Sequence, residues 1–261
     1  MPAQNPLLWE HPLSPYAQKV KIALREKGVA FEVRLPTGIG AGVGDDAFFS
    51  VSPRREVPAL EHERLFLFDS RIIADYVEET WPSPPISPAT PAERARGRMI
   101  EEIVDTQLEA IGWGLMELRV FKRGDDKLRA GLEAQAQRQI AQAHAWLERQ
   151  LGDAPYFGGD KFMRADMAVI PHLAGASRPA PDSKLGQWFA RCLDRESVAR
   201  TLAEAQASLA GMTNVDAAVK AGLFKRQYRD HRLEWMLRSG GVDIVLDGLK
   251  TNTIRFSTEI Q

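Results

Sequence analysis

The residues most able to do chemistry in this chain are hydroxyls and carboxylates set at helix starts. Residues 11–20 read HPLSPYAQKV. Cysteines in place of Ser14 and Ala17 would make Cys-Pro-Tyr-Cys, a dithiol at the head of a helix, but here a hydroxyl stands where the reactive thiol would be. Ser14 follows a turn and precedes Pro15 at the first helical position, which is N-cap placement. Capping alone accounts for such a serine. Two other stretches give it company. In Glu56-Val57-Pro58-Ala59-Leu60 a proline opens an apolar strand. That pattern suggests a cis turn, with the backbone of the preceding residue free to pair with an extended, peptide-like ligand; the plain alternative is an edge-strand proline. In FLFDSRIIADY, Asp69-Ser70 marks a strand-to-helix junction. Ser70 reads as an N-cap whose helix amides suit a carboxylate, and Asp69 as a fixed charge for an ammonium. Side by side, these are what an α-amino acid end requires, although each also reads as a simple cap.

Other signals are weaker. The glycines at 38, 40, 42 and 44 lack the G-x-G-x-x-G spacing, no Gly-Lys-Ser/Thr follows, and Asp45 and Asp46 put negative charge where a phosphate would want the opposite. A mobile loop is expected there. The five histidines show no pair at metal-ligand spacing, so no metal is expected. Cys192 lies on an apolar helical pattern and reads as a buried, inert thiol. No Gly-x-Ser-x-Gly elbow anchors a hydrolase triad.

The elements that must position these residues fall into two halves. The chain has 261 residues, 44% hydrophobic and 26% charged, enough for one or two sizeable cores. Its net charge of −1 provides no global field for nucleic acid or an anionic membrane. No apolar run reaches the roughly 20 residues of a membrane span, and MPAQNPLLWEH does not read as a signal peptide. With a single cysteine, these features favour a cytoplasmic protein. Residues 81–91, WPSPPISPATP, hold five of the 16 prolines and read as a linker. Ahead of it the order is β-α-β-(loop)-β-β-α, with helices over 15–27 and 70–80 and strands at 31–35, 57–60 and 65–68. Behind it, helical periodicity runs over 92–122, 126–151, 164–177, 183–192 and 196–210.

On LSPYAQKVKIALREKG, SPRREVPALEHERLFLFDSRIIADYVEETWP and GGDKFMRADMAVIP, the sequence resembles the glutathione transferase superfamily over roughly residues 5–210. The resemblance implies an α/β thioredoxin-like domain over 1–82, a proline-rich linker over 83–91 and an all-helical domain over 92–261 that supplies the second-substrate pocket. It implies a cis peptide at Pro58, with Val57 pairing to the cysteinyl backbone of glutathione. Asp69 and Ser70 would hold the γ-glutamyl end, and Ser14 would stand where the family keeps its thiol-activating Ser or Cys. It also implies a homodimer. Three departures stand out. Met163 occupies the position where the family's helical domain usually has a capping Ser or Thr three residues before Asp166. Arg55 stands where glycine is frequent, and with Arg54 brings positive charge suited to a glycyl carboxylate. Residues 211–261 extend past the usual family end.

A thiol of pKa near 8.5 is only a few per cent ionised at neutral pH. A hydroxyl donor at about 3 Å and a helix N-terminus could together supply the roughly 2.7 kcal/mol that lowers it by about two units. Ser14 would donate to the ligand's sulfur, with Tyr16 as a second hydroxyl nearby. Serine cannot form mixed disulfides, which favours conjugation, thiolytic ether cleavage or glutathione-dependent isomerisation over redox exchange. A non-catalytic binding module on the same fold is the alternative from another class. In QLEAIGWGLMELRVFKR, residues 107–123, Trp113 and Met116 mark an expected apolar wall for a hydrophobic electrophile, and Gly112 and Gly114 hint at a bend or a close approach. The stretch 222–241 reads as one helix with Phe224, Tyr228, His231 and Trp235 on one face and basic residues on the other, able to cover a cleft or dock on a partner. Residues 242–257 are ambiguous between helix and strand.

Overall fold

The computed structural model describes residues 5–37, 46–211, 215–222 and 225–256. The glycine stretch 38–44, Asp45 and Phe224 lie outside these residues.

The first half builds β1 (Leu7–Trp9), α1 (Pro15–Glu26), β2 (Glu32–Arg34), α2 (Asp46–Val51), β3 (Ala59–His62), β4 (Leu65–Phe68) and α3 (Ser70–Thr80). The strands order as β2-β1-β3-β4, with β1 parallel to β2 and antiparallel to β3. Alternation along β1 sorts the two faces: Leu8 joins the core of α1 and α3 with Val20, Leu24 and Ile73, while Trp9 packs on the other side with Phe48 and Val51 of α2. Helix α2 falls within the stretch expected as loop. Its Phe48 and Val51 are buried by that second face of the sheet, and tertiary burial decides the conformation of so short a segment.

The second half opens with α4 (Pro91–Ile103), started by a complete capping box between Thr90 and Glu93. The expected single helix over 92–122 is interrupted. A π-helical turn at Val104–Leu108 separates α4 from α5 (Glu109–Arg119). This wider turn sits against α1: the Asp105 carbonyl accepts the Tyr16 hydroxyl at 2.6 Å, and the Asp105 carboxylate meets Lys19 Nζ at 2.6 Å. Lys19 also reaches Glu101 at 2.7 Å, and Arg164 Nε reaches the same Glu101 at 2.8 Å. These buried charges join the two halves, each with its opposite beside it.

Next come α6 (Asp126–Leu151), α7 (Arg164–Leu173), α8 (Lys184–Leu193) and α9 (Glu196–Ala210). Helix α7 stops short of the expected 177, two residues after Pro171 and ahead of Gly175. Its start keeps half of a capping box despite Met163. The Asp166 carboxylate accepts from the amides of Met163 and Phe157, each at 2.9 Å, and from Trp188 Nε1 at 2.8 Å. Burial pushes this carboxyl up to about 6, against the lowering effect of those donors. Cys192 is fully buried on α8, and burial drives its thiol far above the ordinary range.

The remainder is α10 (Val215–Lys220), β5 (Arg226–Gln227), α11 (Asp230–Arg238), α12 (Val242–Lys250) and β6 (Ile254–Arg255). The single helix expected over 222–241 is therefore corrected. Its first part is extended and pairs in parallel with β6, and the bond from Tyr228 N to the Arg255 carbonyl is 2.8 Å. Tyr228 is fully buried between the two elements, and its hydroxyl donates to Glu117 at 2.9 Å. Pairing to a distant strand and burial of this ring outweigh the helical spacing.

Candidate functional site

Helix α1 begins where Pro15 fixes the first helical φ and Ser14 caps it. Ser14 Oγ accepts from the Ala17 amide at 3.3 Å. A hydroxyl carries one donor and two acceptor lone pairs, so capping leaves the Ser14 proton available to another acceptor. Tyr16 is differently placed. Burial, and then the negative charge of Glu109, push its hydroxyl well above its ordinary pKa, and its proton is given to the Asp105 carbonyl. His231 Nε2 lies 3.4 Å from the same hydroxyl.

The Val57–Pro58 peptide is cis. The N-cap of α3 is Asp69, not Ser70 as the spacing suggested. Asp69 adopts φ 76° and its carboxylate accepts from the Arg71 amide at 2.9 Å, while Ser70 is the first residue of the helix and is buried. A side-chain-bearing residue at positive φ is uncommon and is held only where its surroundings over-determine it. The displacement of the cap by one residue follows from that conformation, which turns the Asp69 carboxylate onto the helix amide and leaves Ser70 inside the first turn.

Ser14, Tyr16, Val57, Pro58, Asp69 and Ser70 all line one cavity of about 1190 Å³. Trp113 and Met116 line it from α5. Trp113 is only 6% exposed, however. Tyr228 meets its ring edge-on at a centroid distance of 4.6 Å, and the guanidinium groups of Arg226 and Arg232 lie 5.5 and 5.6 Å from its centre. It anchors the tail as much as it walls the cavity, and Met116 is the more open of the two. Gly114 has a clear reason to be glycine. A Cβ there would lie 2.1 Å from Trp235 Cζ3 of α11, so its absence permits the close approach of α11 to α5.

The residues that sequence reasoning missed come from the tail. Arg229 forms an ion pair with Glu56, beside the cis proline, and Gln227 Nε2 donates to the same carboxylate at 2.7 Å. Glu109 on α5 is buried and takes Arg232 at 2.5 Å and His231 at 2.8 Å. Burial alone would raise Glu109; the charge of Arg232 and the hydrogen bonds from His231 and Arg232 outweigh it and hold the carboxyl at about 2. The available signal was the run Arg226, Arg229 and Arg232, which periodicity placed on the basic face of one helix, with His231 on its aromatic face. Of the histidines treated as scattered, His11, His172 and His231 also line the cavity. Among the described residues, no group of three or more His, Cys, Asp or Glu is arranged to hold a metal.

A mixed four-stranded sheet with a cis proline ahead of β3, facing a helix N-terminus and backed by a bundle of helices, defines a thioredoxin-like domain joined to an all-helical one. The model of the glutathione S-transferase N-terminal domain matches residues 8–85, and that of the C-terminal domain matches residues 120–191. Glutathione S-transferase U28 of Arabidopsis thaliana is 30% identical over 208 residues, covering 74% of this chain and 86% of the relative. Maleylacetoacetate isomerase of Mus musculus is 31% identical over 186 residues, covering 68% and 81%. The structure of rice GST1 (OsGSTU1) in complex with glutathione superimposes with a TM-score of 0.64 at 26% identity, covering 76% of this chain and 92% of that one. The chain belongs to the glutathione S-transferase superfamily, a family of enzymes. Among the described residues, no helix is long and apolar enough to cross a membrane.

Proposed function

We propose that this protein is a glutathione S-transferase in which the Ser14 hydroxyl holds the glutathione thiol ionised for attack on a hydrophobic electrophile. The observation that carries the reading is the position of Ser14. It caps α1 through its acceptor, keeps its donor, and shares a cavity wall with Pro58 and with the start of α3. Glutathione would run along Val57, its γ-glutamyl carboxylate at the amides that start α3 and its ammonium at Asp69. Arg54 and Arg55 would face its glycyl carboxylate. Tyr16, whose proton is committed to Asp105, would support the α1 start and leave the sulfur to Ser14. Met116 and Trp113 would wall the second substrate. The domain division at 82 and 92 is part of the same reading, since the proline-rich segment between α3 and α4 carries no regular element. So is a cytoplasmic homodimer, which would cover the exposed apolar side chains Phe66, Ile72 and Met99 of β4, α3 and α4.

A glutathione-dependent isomerase is the second reading, favoured by the likeness to the mouse protein named maleylacetoacetate isomerase. Calorimetry with glutathione, followed by product analysis with a neutral aryl halide and with a cis-enone, tests both. Binding with conjugate formation supports the transferase, and geometric isomerisation without a stable adduct supports the isomerase. Failure of millimolar glutathione to bind would overturn both in favour of a non-catalytic binding module.

A further inference from the structure

The cavity that holds Ser14 is not walled by apolar groups alone. The tail brings Arg226, Arg229, Arg232 and Arg255 to the cavity lining, and Arg54 and Arg55 line it too. Most of these cations already have a carboxylate. Arg226 and Arg232 pair with Glu117 and Glu109, and Arg54 and Arg229 share Glu56. Glu56 also accepts from Gln227, so three donors already share its two oxygens. Arg55 and Arg255 are the exceptions: Arg55 lies over the Phe49 ring, 4.1 Å from its centroid, and Arg255 is left facing the cavity. Among the described residues its guanidinium meets no carboxylate, and its hydrogen bond is a long one, 3.3 Å, to the neutral Gln227 Oε1. Lys225, next to β5, likewise meets only the amide oxygen of Asn252, at 2.8 Å. Position matters here as much as partner count. Arg255 lies directly across the β5–β6 ladder from Gln227, half-buried on the cavity wall. Burial, and then the like charges of Arg232, Arg55 and Arg226, lower its pKa against the opposing pull of Glu56. A partly desolvated guanidinium crowded by other cations is costly unless an anion completes it. The fold spends its own carboxylates elsewhere, so a ligand must bring this one.

We propose that the electrophile taken by this protein carries a carboxylate, and that Arg255 of the tail recognises it across the cavity from Ser14. The inference rests on the glutathione transferase reading and narrows its substrate to an anionic class. Glutathione has carboxylates of its own, but on that reading they are met at the start of α3 and at Arg54 and Arg55. Arg255 lies among Arg232, Arg55 and Arg226, and the first and last of these are the cations over Trp113 on the second-substrate wall. The rest of the pocket stays apolar enough for the hydrophobic body of such a compound, through Met116, Leu108 and Leu115.

The experiment compares two non-reactive conjugates by calorimetry: S-benzylglutathione and S-(4-carboxybenzyl)glutathione, with glutathione alone as the third ligand. The intact protein is expected to bind the carboxylated conjugate about 10-fold or more tighter than the neutral one, the range of a charge-assisted hydrogen bond. In Arg255→Gln that ratio should collapse to about one, and in Arg255→Lys it should be partly restored. Unchanged thermal unfolding of both variants would show that the tail is still docked. Equal binding of the two conjugates by the intact protein would overturn the proposal while leaving the transferase reading standing. So would a loss in Arg255→Gln that falls equally on glutathione alone, since the carboxylate would then be glutathione's. Binding of none of the three would overturn the proposal together with the reading on which it rests.

Discussion

The two walls of the cavity are made by different physics. Ser14, Val57-Pro58 and Asp69-Ser70 are placed by local rules, since each sits at a helix start or a strand start and needs only its immediate neighbours to be where it is. The tail wall is placed by distant pairs: Arg229 on Glu56, Arg232 and His231 on Glu109, Tyr228 on Glu117, Trp235 over Gly114. The first wall holds the residues proposed to bind and ionise glutathione. The second is brought by residues beyond 210 and is the wall proposed to choose the second substrate. On the proposed reading, affinity for glutathione and choice of the second substrate can be altered largely separately, Glu56 being the residue at which the two walls meet.

The variants that would break this division differ in size. Glu109→Ala should have the largest effect on stability. It leaves Arg232 buried without its anion, and the loss of one partner of such a pair costs about 3–5 kcal/mol. Chemical denaturation followed by tryptophan fluorescence would report it, with the change arising from Trp113 and Trp235 of the tail contact. Ser14→Ala should cut kcat/KM about 10-fold, equivalent to about 1.4 kcal/mol, and move the acid limb of the pH–rate profile upward by about one unit, the rest of the two-unit shift staying with the helix N-terminus. Ser14→Asp sharpens that result. It caps as well as serine but offers no donor and repels a thiolate, so a stable and inactive variant would separate capping from catalysis. Gly114→Ala comes next: displacement of Trp235 costs about 1–3 kcal/mol, offset by about 1 kcal/mol of helix propensity. Melting temperature would show the small net loss, and the selectivity between electrophiles should shift more than the affinity for glutathione.

The same buried pair of Glu109 and Arg232 can be probed without a substitution, through the intact protein's response to acid. Glu109 is held at about 2 when folded, below its ordinary 4.5. The stability it contributes is therefore complete above pH 4.5 and is lost as pH falls towards 2. Asp166 acts in the opposite sense. Its folded pKa of about 6 exceeds the ordinary 3.8, so its contribution is greatest below pH 3.8 and is lost as pH rises through 6. Near-ultraviolet circular dichroism across this range should show the tail loosening on the acid side before the α7 start does.

The local wall was largely legible in the sequence for the reason that made it local. Proline at 15 and 58, serine at 14 and the Asp69-Ser70 junction announce backbone geometry within a few residues, and the helix 126–151 emerges with those bounds. Even there the cap fell one residue early, because Asp69 takes a positive φ that side-chain-bearing residues seldom adopt and that spacing does not record. The tail was misread because its helical spacing is real but loses to pairing with β6, thirty residues on. The π turn at 104–108 was invisible for a similar reason. It is stabilised by Tyr16 and Lys19 of the other domain, and nothing within 92–122 records that.

The account stands or falls on whether Ser14 keeps the bound sulfur ionised. Ultraviolet difference titration of the thiolate in the glutathione complex measures this without any electrophile. The intact protein is expected to bring the bound thiol about two units below its free value near 8.5, and Ser14→Ala to return it towards that value. A bound thiol that titrates at the same pH in both proteins would contradict the role given to Ser14.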